Sequence, residues 1–173
     1  VSAVEPSRYR SVMLTDMSSI NYGLIGARTT GNGAGDYMVV GPDWKGEAPR
    51  GIKGIYRSTS QFTMALFRTE VRNAEDLEAV KKIQSGYRVR SLAAYQGKTP
   101  LIAPEIAFPK IDSGLAKANF FAYLDFILQF VPVREEDKDV RARMASIGLG
   151  SGNFDAFKAI AAKYRTQVMQ GVQ

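Results

Sequence analysis

Residues 27 to 46 read Ala27-Arg28-Thr29-Thr30-Gly31-Asn32-Gly33-Ala34-Gly35-Asp36-Tyr37-Met38-Val39-Val40-Gly41-Pro42-Asp43-Trp44-Lys45-Gly46, with three alternate glycines directly ahead of a β-prone run. Glycines of this kind supply the positive φ angles of tight connections. A G-x-G-x-G spacing that lacks a following Lys-Ser or Lys-Thr and leads into a strand is a poor phosphate cradle. The sequence therefore predicts a surface connection into an antiparallel strand at residues 37–40, and nucleotide binding is disfavoured.

Short β-prone runs, separated by clusters of Gly, Pro, Asn and Ser, continue on both sides of this stretch. They are residues 9–15, 36–40, 54–57 and 62–68. Such spacing is typical of an antiparallel sandwich rather than of alternating β-α units. The predicted fold class is α+β, in which residues 1–72 form an antiparallel β-sandwich-like N-terminal part and a helical C-terminal part follows.

Helical periodicity begins after this β-rich part. Residues 73–112 are predicted to hold one helix, with Asn73 as its N-cap and Leu77, Val80 and Ile83 on its apolar stripe, and then an extended connector rich in proline. Glu78 is placed to pair with Lys82. Residues 113–173 are predicted to form a helical subdomain.

Three helices are expected in that subdomain. The first runs from residue 115 to residue 130, is apolar on nearly all sides and ends before Pro132. The second opens with the acidic residues that begin at Glu135, and the third begins near Asn153, with its apolar stripe at Phe154, Phe157, Ala161, Tyr164 and Val168. Asp125 lies within the most apolar helix, so we expect it to face a polar edge or to meet an Arg or Tyr partner.

Composition excludes most catalytic arrangements. The chain of 173 residues has no His and no Cys, which removes imidazole bases, thiolate nucleophiles, zinc sites of the usual kind and disulfides. Paired carboxylates, a Lys or Tyr base, or an all-oxygen site for Ca²⁺ or Mg²⁺ remain open. We predict no cofactor and assign no metal ligand. No apolar run is long enough to predict a membrane span.

A net charge of +6 raises the question of a polyanion partner. The basic residues are spread along the chain, apart from one acid-free stretch that contains Lys81, Lys82, Arg88, Arg90 and Lys98 with Tyr87 and Tyr95 interleaved. A solvated helix end and the loop after it explain this stretch better than a nucleic-acid surface. Nucleic-acid binding is therefore disfavoured.

Candidate ligand-binding side chains cluster around the glycines. They are Arg28, Asp36, Tyr37, Trp44 and Lys45, with Asp16 and Asp43 nearby in sequence. Aromatic rings beside acids and amides often hold sugar-like or amine ligands. Each also has a structural alternative: Trp44 as a core residue at the sheet edge, Asp36 as a turn cap, and Arg28 as a clamp on loop carbonyls or on Asp36 or Asp43.

Three segments resemble the domain of unknown function 1254 family. The matching residues are Arg28-Thr29-Thr30-Gly31-x-Gly33-Ala34-Gly35-x-Tyr37, Gly41-Pro42-x-Trp44-Lys45-Gly46, and Arg68 followed by Asp76-Leu77-x-x-Val80-x-x-Ile83-Gln84-x-x-Tyr87. The resemblance is to the latter part of the family domain and covers roughly residues 8 to 150. It departs from the family at Ala27, where a hydroxyl residue is common, and at Ser58-Thr59-Ser60, where many members carry Pro.

The resemblance implies a β-sandwich with helical additions, further strands upstream, a domain of unknown function 1214 downstream and a periplasmic or secreted location. It supplies no catalytic residues. We expect the chain to need a partner for stability, either the remainder of its own polypeptide or a second copy. We expect a module that binds a small-molecule or sugar-like ligand or packs against another domain. The alternative is a carboxylate- or metal-dependent hydrolase whose site is completed by segments outside this chain.

Overall fold

The chain forms two compact units, Val1–Glu105 and Ile106–Gln173. The structure is a computed structural model and describes residues 1–152, 154–159, 164, 166–167 and 170. The strands lie in the first unit, most of them paired antiparallel and followed by two helices, and the second unit is helical, so the fold class is α+β.

A three-stranded antiparallel sheet forms the centre of the first unit. Its strands are β1 (Arg10–Asp16), β2 (Asn21–Gly26) and β5 (Thr63–Thr69), in the order β2-β1-β5. Val12 lies opposite Ile25 on one side and Phe67 on the other, which sets the register. The strand predictions at residues 9–15 and 62–68 are confirmed within one residue, whereas β2 was missed.

The second sheet consists of β3 (Asp36–Val40) and β4 (Ile52–Arg57). The predicted β-prone runs at 36–40 and 54–57 are confirmed, but the predicted antiparallel orientation of residues 37–40 is wrong, because β3 pairs with β4 in parallel. The long connection between the two strands lets the chain return to the starting end of β3, which a tight hairpin does not allow.

A buried ion pair ties the first residues of the chain to the first helix. Arg8, 3% exposed, donates both terminal nitrogens to the Asp76 carboxylate at 2.6 and 2.7 Å and also donates to the Glu70 carbonyl at 2.6 Å. Asp76 is the residue before helix α1 (Leu77–Ser85), so the pair fixes where this helix begins. The predicted helix is confirmed, with Val80 as its buried residue. The predicted N-cap, Asn73, is wrong: the Asn73 side chain accepts a hydrogen bond of 2.9 Å from the Asp76 amide in the turn before the helix. Glu78 pairs with Lys81 rather than with Lys82.

The Arg8–Asp76 pair predicts acid sensitivity. Hydrogen bonding to the Arg8 guanidinium lowers the pKa of Asp76 from 3.8 to about 2. A carboxylate whose pKa is depressed in the folded state stabilises that state above its unfolded pKa, and this contribution is lost as the pH falls through the folded value. We therefore expect the melting temperature to fall between pH 3.8 and about 2, and Asp76→Asn to flatten that part of the profile. Equal slopes for parent and variant, measured by circular dichroism melts, would contradict this role.

After α1 the chain is mostly extended. One short helix, α2 (Leu92–Tyr95), interrupts the predicted connector, because the Ser91 side chain accepts a hydrogen bond from the Ala94 amide and caps a single turn. Leu101 and Ile102, further along, are 94% and 98% exposed.

The second unit consists of short helices. They are α3 (Ser113–Ala118), α4 (Phe120–Leu128), α5 (Lys138–Ser146), which follows a 3₁₀ turn at Glu135–Asp137, and α6 (Asp155–Lys158). The single helix predicted for residues 115–130 is wrong, because it breaks at Asn119, whose φ of −122° and ψ of 35° are not helical. Of the predicted third helix, the start at Asn153 and the stripe residues Ala161 and Val168 lie outside the described residues. No helix within the described part of the chain has the length and apolarity to cross a membrane.

Asp125 is a satisfied buried acid. It is 2% exposed and accepts a hydrogen bond of 2.6 Å from the Gly150 amide. Gly150 has a φ of +89°, a conformation that favours glycine. Phe121, Leu149 and Phe157 form the buried cluster of this unit. The partner of Asp125 is thus a backbone amide, and the expectation of an Arg or Tyr partner is corrected.

Candidate functional site

A cleft of about 460 Å³ opens over one face of the three-stranded sheet in the first unit. Because successive side chains of a strand point to opposite faces, every second residue of β1 and β5 reaches this face. The floor of the cleft is formed by Val12, Leu14, Ile25, Thr63, Ala65 and Phe67. A cleft of this size is within the usual range of small-molecule sites.

The floor of the cleft is also the core of the unit. Val12, Leu14 and Ile25 are between 1% and 4% exposed. Tyr37 and Tyr56 of the second sheet pack against them, with ring centroids 6.3 Å apart. Burial, and then the neighbouring Tyr37, raise the pKa of Tyr56, so this phenol stays neutral. Apart from Thr63, the floor is therefore an apolar surface, and no charged group lies on it.

Residues 88–95 form the rim together with the start of β3. The Arg90 guanidinium lies 4.6 Å from the centre of the Tyr95 ring and 3.6 Å from the Asp36 carboxylate. Tyr95 is held in turn by a hydrogen bond of 3.2 Å from its hydroxyl to the Arg50 carbonyl. Arg88 also lines the cleft and donates to the Tyr87 carbonyl at 2.9 Å. Among the described residues, the side chains of the rim thus include two cations and one carboxylate.

Arg90 keeps its hydrogen-bond donors available. Its distance of 3.6 Å from Asp36 exceeds the range of an N–H···O hydrogen bond. In the described part of the chain it makes this loose ion pair and the contact with Tyr95, and no hydrogen bond. Both side chains of the pair are about half exposed, so solvent screens their attraction.

The glycine loop, residues 31–35, lies outside the cleft and is organised by Arg10 rather than by Arg28. Arg10 is 1% exposed and donates to the carbonyls of Ser2 at 2.5 Å and Gly31 at 2.8 Å. The side-chain NH₂ group of Asn32 shares its two hydrogens among three carbonyls, those of Glu5, Pro6 and Arg8. The suggestion that Arg28 clamps this loop is wrong, because Arg28 is exposed and its guanidinium lies 5.4 Å from the Tyr9 ring.

Two of the five predicted site residues, Asp36 and Tyr37, line the cleft. The other three lie elsewhere. Arg28 is placed as described above, Trp44 lies 5.9 Å from the Arg57 guanidinium, and Lys45 is exposed. Arg57 also donates to the Trp44 carbonyl at 2.8 Å, so this cation fastens the loop after β3.

Carboxylates near the glycine stretch do not assemble into a metal site. Asp16 accepts hydrogen bonds from the amides of Ser18 and Ile20 and so closes the turn after β1. Asp43 accepts one from the Gln61 amide group. In the residues that the structure describes, no group of three or more acidic side chains is placed to hold a metal ion.

Arg88, Arg90 and Tyr95 line the cleft but were not predicted as site residues. The available signal was the acid-free basic stretch with interleaved tyrosines, which was interpreted as a solvated helix end and loop. What the sequence did not show is that this stretch lies above β1 and β5, beside Asp36.

Fold and site together define a small α+β protein with an open, apolar-floored cleft. The sequence profile of the family "Protein of unknown function (DUF1254)" matches residues 1–91, more than half of the chain, and the chain belongs to this family. The match ends well before residue 150, where the sequence resemblance was expected to end, and it includes the whole cleft floor. No curated protein matches the chain.

A crystal structure of the VPA0106 protein from Vibrio parahaemolyticus has a similar fold, with a TM-score of 0.73 and 21% sequence identity. The similarity covers 98% of this chain and 44% of the Vibrio chain. The chain therefore spans less than half the length of that protein. At this level of identity the comparison supports the fold alone.

Proposed function

We propose that the first unit is a small-molecule binding module and that the cleft over β1 and β5 is its site. The observation that carries the proposal is the exposed position of Ala65 and Val39 beside the buried floor residues Val12 and Leu14, which leaves an apolar concavity open to solvent. Concave, mostly apolar sites with a few polar groups at the edge are the common form of ligand pockets.

A carboxylate-dependent hydrolase has less support. Such chemistry uses two acidic groups in different environments, one as acid and one as base or nucleophile. The residues that line the cleft include one carboxylate, Asp36, which is exposed and lies beside Arg90. Binding is therefore favoured over hydrolysis.

Packing against a further domain is the second candidate. The chain spans 44% of the Vibrio protein, and a further segment of a longer polypeptide is one occupant that an apolar floor accepts. If this candidate were correct, the cleft would be filled by protein in the longer polypeptide and closed to small molecules there.

A substitution that fills the cleft tests whether small molecules bind there. Ala65 and Met64 are neighbours on β5 whose side chains point to opposite faces, and only Ala65 lines the cleft. We expect Ala65→Phe to weaken binding of the uncharged dye Nile red at least about tenfold, because the new ring occupies the space above Leu14. Met64→Phe, the matched control, should leave the affinity unchanged.

The measurement is a fluorescence titration on variants with cooperative melts. Equal affinities for Ala65→Phe and Met64→Phe would show that the dye binds elsewhere and would contradict the site. Binding by this chain combined with no binding by a longer family polypeptide would favour domain packing instead.

A further inference from the structure

Arg90 is arranged as a receptor for an anionic group. The Tyr95 ring lies against its guanidinium at 4.6 Å, and Tyr95 is itself fixed by the Arg50 carbonyl. A planar guanidinium held on an aromatic ring loses little conformational freedom on binding and offers a fork of donors that matches a carboxylate. Its hydrogen-bonding capacity is directed neither to Asp36 nor to any other described residue, as shown above.

The balance of charge at the rim also favours an anion. Among the described residues that line the cleft, the charged side chains are Arg88, Arg90 and Asp36, so the side-chain charge of the rim is net positive. Asp36 opposes an anion by repulsion, but it lies 3.6 Å from the guanidinium and is half exposed, which weakens that opposition.

The side chains of the cleft floor determine which chemical group of a ligand can lie on them. Val12, Leu14, Ala65 and Phe67 offer no hydrogen-bonding side chain, and the Thr63 hydroxyl donates to the Thr15 carbonyl at 3.0 Å. Sugar hydroxyls placed on this floor would lose hydrogen bonds to water without replacement, whereas an alkyl or aryl group gains from burial.

We infer that the ligand is a small carboxylate with an apolar body, whose carboxylate binds Arg90 and whose body lies on the floor formed by β1 and β5. This inference rests on the proposed function, and it narrows the small-molecule or sugar-like ligand expected from the sequence to one class of small molecule. The negative charge of Asp36 lowers the affinity of this site for an anion and raises its affinity for a cation.

Three probes share one alkyl chain and differ in their head group: octanoate, octylamine and octyl glucoside. Each is titrated by calorimetry below its critical micelle concentration, and the affinities are compared. We expect octanoate to bind most tightly. Arg90→Gln should weaken octanoate binding about tenfold through the loss of charge-assisted hydrogen bonds. Asp36→Asn should strengthen it a few-fold by removing a repulsive charge.

Arg28→Gln is the matched control. Arg28 also lies over a tyrosine ring, at 5.4 Å from Tyr9, and is exposed, but it does not line the cleft. It makes the same change in net charge, so it should leave octanoate binding within about twofold of the parent at physiological salt, where distant charges are screened.

The outcomes are distinguishable. Octylamine binding most tightly and weakening in Asp36→Asn would overturn the inference, as would equal affinities for all three probes with no effect of Arg90→Gln. If Nile red binds in the cleft but octanoate does not, the ligand class is wrong and the proposed function stands. If neither binds there, the proposed function itself fails.

Discussion

Gly26→Ala is expected to destabilise the first unit by about 3 kcal/mol or more. A Cβ at this position would lie 2.1 Å from the Arg10 carbonyl oxygen and 2.8 Å from the Ser11 Cα, both of them backbone atoms of β1. The φ of Gly26 is +146°, which L side chains rarely adopt. The variant must therefore distort the β1–β2 pairing at the end of β2, ahead of the glycine loop.

Two glycines of the nearby glycine loop separate the effect of the steric clash from the effect of backbone strain. Gly31 has a φ of +77° with open space around it, so Gly31→Ala should cost about 1 to 2 kcal/mol from backbone strain alone. Gly33 has neither a positive φ nor a neighbour within 4 Å, and Gly33→Ala should be neutral or slightly stabilising. Urea unfolding of the three variants gives the comparison. A Gly26→Ala variant as stable as Gly33→Ala would contradict the described contact with β1.

Arg10→Ala is the second large effect, with an expected loss of about 3 kcal/mol from the free energy of unfolding. Arg10 is almost completely buried, and its terminal nitrogens satisfy carbonyls of the N-terminal segment and of the glycine loop. Its removal leaves those acceptors without donors and leaves a void where the alkyl stem packed. The Arg10 Nε atom has no partner among the described residues, which limits the gain from burying the group.

Arg28→Ala is the control for Arg10. Arg28 is exposed and contacts the Tyr9 ring, so its loss should cost less than about 1 kcal/mol. Both variants remove one positive charge, so the effect of the lower net charge on the free energy of unfolding cancels when they are compared. Chemical denaturation measures both. A larger loss from Arg28→Ala than from Arg10→Ala would reverse the assignment of the residue that organises the glycine loop.

The sequence predicted the elements whose local pattern is strong. β-Branched and aromatic residues revealed β1, β3 and β5, while β2 was missed because Gly23 and Gly26 lower the β-propensity of that segment. Both glycines are required by partners distant in sequence. A Cβ at Gly23 would lie 2.5 Å from the Tyr56 ring, just as one at Gly26 would meet β1. Local propensity does not report such contacts.

The orientation of the strands and the position of the site also depend on contacts between residues that are distant in sequence. Nothing in residues 36–40 specifies that they pair in parallel with residues 52–57. Asp36 and Tyr37 were found because they follow the glycines directly. Arg90 and Tyr95 were missed because their place at the cleft arises from the path of the chain after α1, not from a motif.

Binding of a ligand with an apolar body in the cleft over β1 and β5 can be observed directly. A crystal structure of the protein with 8-bromooctanoate provides this observation, since the anomalous signal of bromine locates the alkyl chain. We expect bromine above Leu14 and Ala65 and the carboxylate at Arg90, with the peak lost in Ala65→Phe. Bromine bound only outside the cleft, with the cleft empty at saturating ligand, would contradict it.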